Sequence, residues 1–462
     1  MNIYRKSLLL LISIGLWTSC KVIKPYQKPD LPSASSYGNG RSADTRNMAK
    51  MKWSEVFTDT ILNQLILQGL AANLDLKIAV ARISEAQAGL RLSKAAFLPG
   101  VNGNLSVKQS RLAFPQGFGM INNSTQYDLG ISTNWELDIW AKLGSAKRAA
   151  YADLLASDAA KRAVQTQLIA DIANHYFELL ALDQQLLVTQ KTAENRAADA
   201  EAIKLLFESS ILNGVAVVQS EANYYEADLA IPDIQQRIKE TEHALCVLLA
   251  RSPSKINRTS LAQQRLTYDL KPGIPAQLLA YRPDVQQAEY QFRAAFENTN
   301  VARASFYPSL TITAAAGFSS LGLSNWFSSA GLFGNIAAGL TQPIFNKGIN
   351  KARLSTAESK QQQALYGFES SLLKAAQEVS DALSSYEHAV QKEGKRAKQL
   401  KALAQAVAFN KELLNNSKNT NYTDVLAAEQ NLLTAELKGI NDQSQKLHAI
   451  VNLYRALGGG WN

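Results

Sequence analysis

The stretch Leu365–Ala389, L-Y-G-F-E-S-S-L-L-K-A-A-Q-E-V-S-D-A-L-S-S-Y-E-H-A, decides how this chain is read. Leu365, Phe368, Leu372, Ala375, Val379, Ala382, Tyr386 and Ala389 follow one another in alternating steps of three and four. That spacing is a coiled-coil seam rather than the broader apolar face of a globular helix. Beyond the polar run Glu393–Lys398 the seam resumes at Leu400, Leu403 and Val407. The pattern predicts one helix from about Lys347 to Ser417. At 1.5 Å per residue it is roughly 100 Å long, more than a globular core can cover. A polar break at Asn415–Asn421 follows. A return helix is predicted over Tyr422–Leu457, stopped by Gly458-Gly459-Gly460.

The same arrangement occurs earlier in the chain. Asn223–Leu229 (N-Y-Y-E-A-D-L) matches Asn431–Leu437 (N-L-L-T-A-E-L), about 208 residues apart. Lys94–Pro99 matches Arg303–Pro308, and Ile139-Trp140-Ala141-Lys142 matches Ile344-Phe345-Asn346-Lys347. The period is too long for a solenoid, so each half is a duplicated domain. Residues 53–250 form repeat 1, residues 251–280 an inter-repeat linker (an equatorial region, by the family resemblance given below), and residues 281–462 repeat 2. In repeat 1 a short helix over Trp53–Leu67 and one from Asn73 to Phe97 lead into strands. A long helix Gly144–Ser209 and a return helix Val215–Ala250 follow.

Between the helices the period changes to two. Tyr127, Leu129, Ile131, Thr133, Trp135, Leu137 and Ile139 alternate with Asp128, Gly130, Ser132, Asn134, Glu136 and Asp138. Strands are predicted at about 100–110 and 127–140, then at about 309–318 and 336–345. A soluble hairpin over a core shows the same alternation. Length favours lipid, because 9–11 tilted residues cross a bilayer. Aromatic residues at the strand ends, Phe97, Trp140, Phe306, Tyr307 and Phe345, suit an interfacial belt. Tyr127, Leu129, Ile131, Trp135 and Leu137 are therefore expected to face lipid, and Asn134 and Glu136 the opposite side. Four strands cannot close a membrane barrel, and an open edge in lipid leaves backbone groups unpaired. Two copies give eight strands and three give twelve, of which only twelve leaves a lumen. The expected class is mainly α with a membrane β-barrel portion, four strands and four long helical lanes per chain.

Residues 1–19 read as a lipoprotein signal peptide: Arg5-Lys6, an apolar run Leu8–Trp17, then Thr18-Ser19-Cys20. Small residues before a cysteine make Cys20 a lipidation candidate, although Trp17 stands where Leu is usual. The alternative is a simple cleaved signal with an incidental cysteine. Residues 20–52 are rich in Pro and Ser and read as an extended N-terminal linker. The chain holds two cysteines, so there is no disulfide framework; Cys246 lies in an apolar run. The net charge of +9 is interspersed along helices, which argues against nucleic acid. The four histidines, His175, His243, His388 and His448, are scattered singly. No metal site, cofactor or catalytic residue is expected, and an enzyme is disfavoured.

Asn73-Leu-Asp-Leu76, Arg282-Pro-Asp-Val285, Ala304-Ser-Phe-Tyr-Pro308, Gln342-Pro-Ile-Phe345 and the ending Val451-Asn-Leu-Tyr-Arg-Ala-Leu-Gly-Gly-Gly-Trp461 carry a resemblance. In this ordered set the chain resembles the TolC-like outer-membrane efflux protein family, in its OprM-like lipoprotein branch. The resemblance implies a homotrimer with a trimeric α-barrel/β-barrel tunnel. It also implies a periplasmic adaptor (membrane fusion) protein and an inner-membrane pump as partners. The expected function is a passive exit duct for small molecules such as drugs or metal ions in a Gram-negative outer membrane. The same-fold alternative is the exit duct of type I protein secretion. An alternative of another class is a non-conducting coiled-coil scaffold lipoprotein. The family often places two aspartates at a periplasmic gate, in patterns such as D-V-L-D-A. Asp424 matches the first, with Thr423 and Tyr422 beside it, while Ala427 stands at the second. Three such carboxylates on one axis repel unless a cation or proton relieves them. The plainer reading of Asp424 is a first-turn residue favoured by the helix dipole.

Overall fold

The computed structural model describes residues 22–29, 51–111, 123–264, 282–416 and 422–461. Repeat 1 runs α1 (Trp53–Val56), α2 (Thr60–Ala72), α3 (Leu74–Ala95), β1 (Gly100–Arg111), β2 (Asn123–Leu137), α4 (Lys142–Glu208) and α5 (Gly214–Leu248). Repeat 2 runs α6 (Pro283–Ala304), β3 (Ser309–Ser320), β4 (Leu332–Thr341), α7 (Ile349–Asn416) and α8 (Tyr422–Ala456). The repeats agree closely in element length: α3 and α6 each have 22 residues, α4 and α7 have 67 and 68, and α5 and α8 each have 35.

Several boundaries differ from the periodicity. β2 starts at Asn123 rather than Tyr127, because β1 extends far enough for Arg111 to pair with Asn123. It stops at Leu137 rather than residue 140. There the Asp138 carboxylate turns to accept the Leu143 and Gly144 amides at 2.8 and 2.7 Å, starting α4. β4 covers Leu332–Thr341, four residues earlier than 336–345, since its register is set by pairing with β3. The helix read over Trp53–Leu67 is two, because the Asp59 side chain caps a new start at Ile61 and Leu62. The motif match that aligned Lys142 with Lys347 slips by two: Lys142 opens α4, whereas Lys347 is a left-handed residue ahead of α7. The return helix α5 continues through Pro232.

Contacts divide the chain into two compact units. The first holds Ile83–Ser157, Ala288–Phe368 and the described residues 22–29. It contains one antiparallel sheet in the order β1-β2-β3-β4, with β1 and β4 as its edges. Residues 22–29, part of the extended N-terminal linker expected from the sequence, lie against α6. Tyr26 lies against Phe292 and Phe296, and the Asn300 side chain holds both the N–H and the C=O of Lys24 at 3.1 and 2.9 Å. Beneath them Arg148 grips the buried Glu297 with two hydrogen bonds of 2.9 and 3.0 Å.

The second unit contains the described parts of 31–82, 158–287 and 369–462. Its core is aliphatic and aromatic: Ile169, Ile172, Tyr176, Phe177, Leu180, Tyr454 and Phe57 are all within 2% of full burial. The two repeats solve the same joint differently. Asn73 caps α3 through the Leu76 amide and donates to the Leu248 carbonyl at the end of α5. At the corresponding place Arg282, just before α6, donates to the Ala456 carbonyl at the end of α8. Each short helix thus starts against the end of a return helix. Arg282 also pairs with Asp284 and Glu378. The described residues 251–264 of the inter-repeat segment pack onto this unit as well. Arg258 bridges Asp183 and Glu242, and Thr259 and Tyr176 donate to Asp59. Burial pushes the Tyr176 phenol up to about 12.

Candidate functional site

The sheet has two chemically different faces. Side chains of paired residues lie on the same face and alternate along each strand. The register therefore collects Val101, Leu105, Val107, Tyr127, Leu129, Ile131, Trp135 and Leu137 on one face. Leu310, Ile312, Ala314, Ala316 and Phe318 continue that face, followed by Leu332, Ile336, Ala338 and Leu340. One row reads Leu105, Leu129, Phe318, Leu332 across all four strands. These residues stand open: Leu105 is 69% exposed and Ile336 77%. The five residues picked from the sequence in β2 all lie on this face, and Asn134 and Glu136 lie on the other.

The opposite face is polar and tightly knit. Ser319 donates to Asp128 at 2.6 Å, Gln126 donates to Asp128 at 3.0 Å, and Asn104 donates to Ser132 at 3.0 Å. Lys142 pairs with Glu136 at its helical end at 2.9 Å. Gly130 and Gly317 sit opposite each other on this face. A methyl on Gly317 would run into the Leu129 carbonyl and come 2.5 Å from the Gly130 Cα. On the apolar face, Gly103 and Gly334 meet nothing within 4 Å. Gly339, on the same polar face as Gly130 and Gly317, also meets nothing within 4 Å, so the tight backbone approach belongs to the central β2–β3 pair.

Aromatic groups mark both ends of the sheet. At the helical end Trp135 donates to the Phe97 carbonyl, Trp140 to the Pro308 carbonyl, and Trp140 lies 5.1 Å from Tyr307. At the other end Trp326 and Phe327, from the β3–β4 loop, pack on Tyr127 and Phe318. The sequence reading missed this second group, because nothing in a local run tells a loop that it folds back over strands.

Asp424 and Thr423 are exposed in the first turn of α8. Tyr422 turns inward: it is buried with Ile203 and Val425, and Leu212, Val217 and Leu414 pack around them. Burial raises the Tyr422 phenol well above its ordinary range, and Asp199 and Glu429 add to the effect. Next to it lies a charged cluster that the sequence did not reveal. Lys411 of α7 meets Glu429 of α8 at 2.6 Å and Asp199 of α4 at 3.5 Å. Burial disfavours the Lys411 ammonium, but Glu429 and Asp199 outweigh it and raise its pKa. Arg196 of α4, 5% exposed, reaches Gln430 of α8 and the Asn223 carbonyl of α5. The two hairpins are thus tied together beside Tyr422. Cys20 lies outside the described residues. Among the described residues no cluster of His, Cys, Asp and Glu could hold a metal ion.

The profile of the family described as Outer membrane efflux protein matches residues 65–251 and 274–459, one match in each repeat. The chain is 31% identical over 466 residues to the solvent efflux pump outer membrane protein SrpC of Pseudomonas putida, covering 96% of each. It is 28% identical over 464 residues to the probable outer membrane lipoprotein SilC of Salmonella typhimurium, covering 99% of each. Among solved structures, the outer-membrane channel OprN matches with a TM-score of 0.88 and 25% identity, over 96% of this chain and 100% of that one. A duplicated hairpin of long helices, a sheet apolar on one face only and these matches agree: the chain belongs to the outer membrane efflux protein family.

Proposed function

We propose that three copies of this chain assemble into a passive exit duct for small molecules, part of a tripartite efflux system with a periplasmic adaptor and an inner-membrane pump. The observation that carries this reading is the sheet: one continuous apolar face and two edge strands left unpaired among the described residues. An exposed apolar face suits lipid, and lipid does not tolerate open edges. Joining β4 of one copy to β1 of the next removes every edge, and three copies give a twelve-stranded barrel with a lumen lined by the polar face. The names of the relatives, a solvent efflux protein among them, favour small solutes over secreted proteins. Transport of this kind needs no catalytic step in the duct. Native mass spectrometry of protein extracted in mild detergent is expected to show three copies. A stable monomer or dimer as the sole species overturns the reading.

Two further parts of the proposal concern the ends of the duct. Cys20 carries the lipid anchor, a role supported by Thr18-Ser19-Cys20 and by the lipoprotein relative. Asp424 forms a ring of three carboxylates at the periplasmic mouth, supported by its exposure in the first turn of α8 next to the tied hairpins.

A further inference from the structure

A trough of about 880 Å³ lies in the first unit between α6, α7 and the start of α4. Its walls include Ala302 of α6 and Ala352 and Ala357 of α7. Small side chains leave the space open, and the volume is that of a site for a drug-sized molecule. Three cations border it: Lys142, Arg353 and Lys360. Lys142 is already paired with Glu136, whereas Arg353 and Lys360 have no carboxylate partner among the described residues.

The trough has a definite side. Glu136 belongs to the polar face of the sheet, so the Lys142–Glu136 pair joins the trough to that face. On α6 the trough residues Gln291, Asn298 and Ala302 are centred about 120° around the helix from Phe292 and Phe296, which hold Tyr26, since 3.6 residues make a turn. The N-terminal segment and the trough thus use different stripes of α6. Asp153 is the one carboxylate bordering the trough, outnumbered there by the three cations; partial desolvation raises its pKa.

We propose that this trough is a resting site in the conduit for amphiphilic organic anions of drug size: an apolar body against the alanines and an anionic group held by Arg353 and Lys360. The proposal rests on the exit-duct reading, in which the polar face lines the lumen. An inorganic anion lacks the apolar body, and an aromatic cation meets the wrong charge.

Planar-bilayer recordings of the full-length protein with sodium naphthalenesulfonate test it. The wild type is expected to conduct and to be blocked in a concentration-dependent way. Sodium sulfate and an aromatic quaternary ammonium salt should block far less. Arg353→Gln/Lys360→Gln should conduct normally with block weaker by about a hundredfold, since each of the two lost contacts to a charged group is worth about tenfold. Ala302→Trp, which fills the trough and keeps both charges, should also lose the block. It serves as the deciding variant if the charge variant does not assemble. Equal block in the wild type and either conducting variant, or equal block by the quaternary ammonium, overturns the trough alone. A conducting wild type that naphthalenesulfonate does not block does the same. A wild type that does not conduct overturns the exit-duct reading and the trough with it.

Discussion

Ala250 and Gly458 hold the same place in the two repeats, just past the ends of α5 and α8, and both are left-handed, with φ of 51° and 79°. The Ala250 N–H donates to the Val247 carbonyl and the Arg251 N–H to that of Cys246, the pattern of a helix closed by a left-handed residue. Glycine adopts this conformation freely, whereas an L side chain is strained there by about 1 kcal/mol. Ala250→Gly is therefore expected to raise the thermal midpoint of the detergent-solubilised protein; a lowered midpoint would contradict the strain. At Gly459 the constraint is space rather than φ, because a Cβ would overlap the Tyr454 ring. The prediction for Asp424 is functional. Asp424→Ala should weaken block by multivalent cations added on the periplasmic side in planar bilayers. Unchanged block and unchanged conductance would leave Asp424 as a first-turn residue that favours the helix dipole. The trough is independent of this outcome, since Arg353 and Lys360 lie in the other compact unit.

At the scale of the element, β2 is the informative strand because it pairs on both sides. Its partners are β1, close in sequence, and β3, more than a hundred residues later. From Tyr127 to Leu137 it covers ten steps, about 34 Å at 3.4 Å per residue, or about 25 Å when tilted near 45°. That matches the apolar band of a barrel wall, bounded here by Trp135, Trp140 and Tyr307 at one end and Trp326 and Phe327 at the other. Leu129 lies inside the band, in the row with Leu105 and Phe318. Leu129→Arg should destabilise the assembled protein, by less than the about 2–4 kcal/mol of an arginine at the midplane, because Leu129 lies near the Trp326 and Phe327 end of the band. Urea unfolding in lipid vesicles measures this. Normal assembly of Leu129→Arg together with failure of Asp128→Leu would mean that the faces are reversed.

For the whole molecule, the first unit is incomplete as a single chain and the second is well filled. The second unit buries large aromatic side chains around Tyr176 and Tyr454. The sheet of the first unit exposes Val101, Leu105, Ile131, Ile336 and Leu340 and leaves two edges without partners among the described residues. A solvated monomer of this kind would present a template for aggregation, so closure with further copies and lipid is the state in which the sheet is satisfied. The docked segment 22–29 bears on the anchor: it holds the chain on α6 two residues beyond Cys20. Mass spectrometry of the mature protein is expected to find an acylated Cys20 as its first residue. An unmodified terminus elsewhere would remove the lipid anchor from the proposal.

What the sequence determined by itself was periodic. Steps of three and four at Leu365–Ala389 and strict alternation at Tyr127–Leu137 reflect the helix and strand repeats directly, so element type, duplication and the faces of β2 were legible locally. The first-turn position of Asp424 was legible in the same way, because its neighbours in sequence set it. Pairing and ends required the tertiary structure. The register of β2 against β3, the capping of α4 by Asp138, the grip of Asn300 on Lys24 and the ties from Lys411 and Arg196 join residues that no local pattern connects. Gly130 and Gly317 make the difference plain. Each is an ordinary glycine in a strand until pairing sets them face to face, and only then does the close approach of the two backbones require the absence of a side chain.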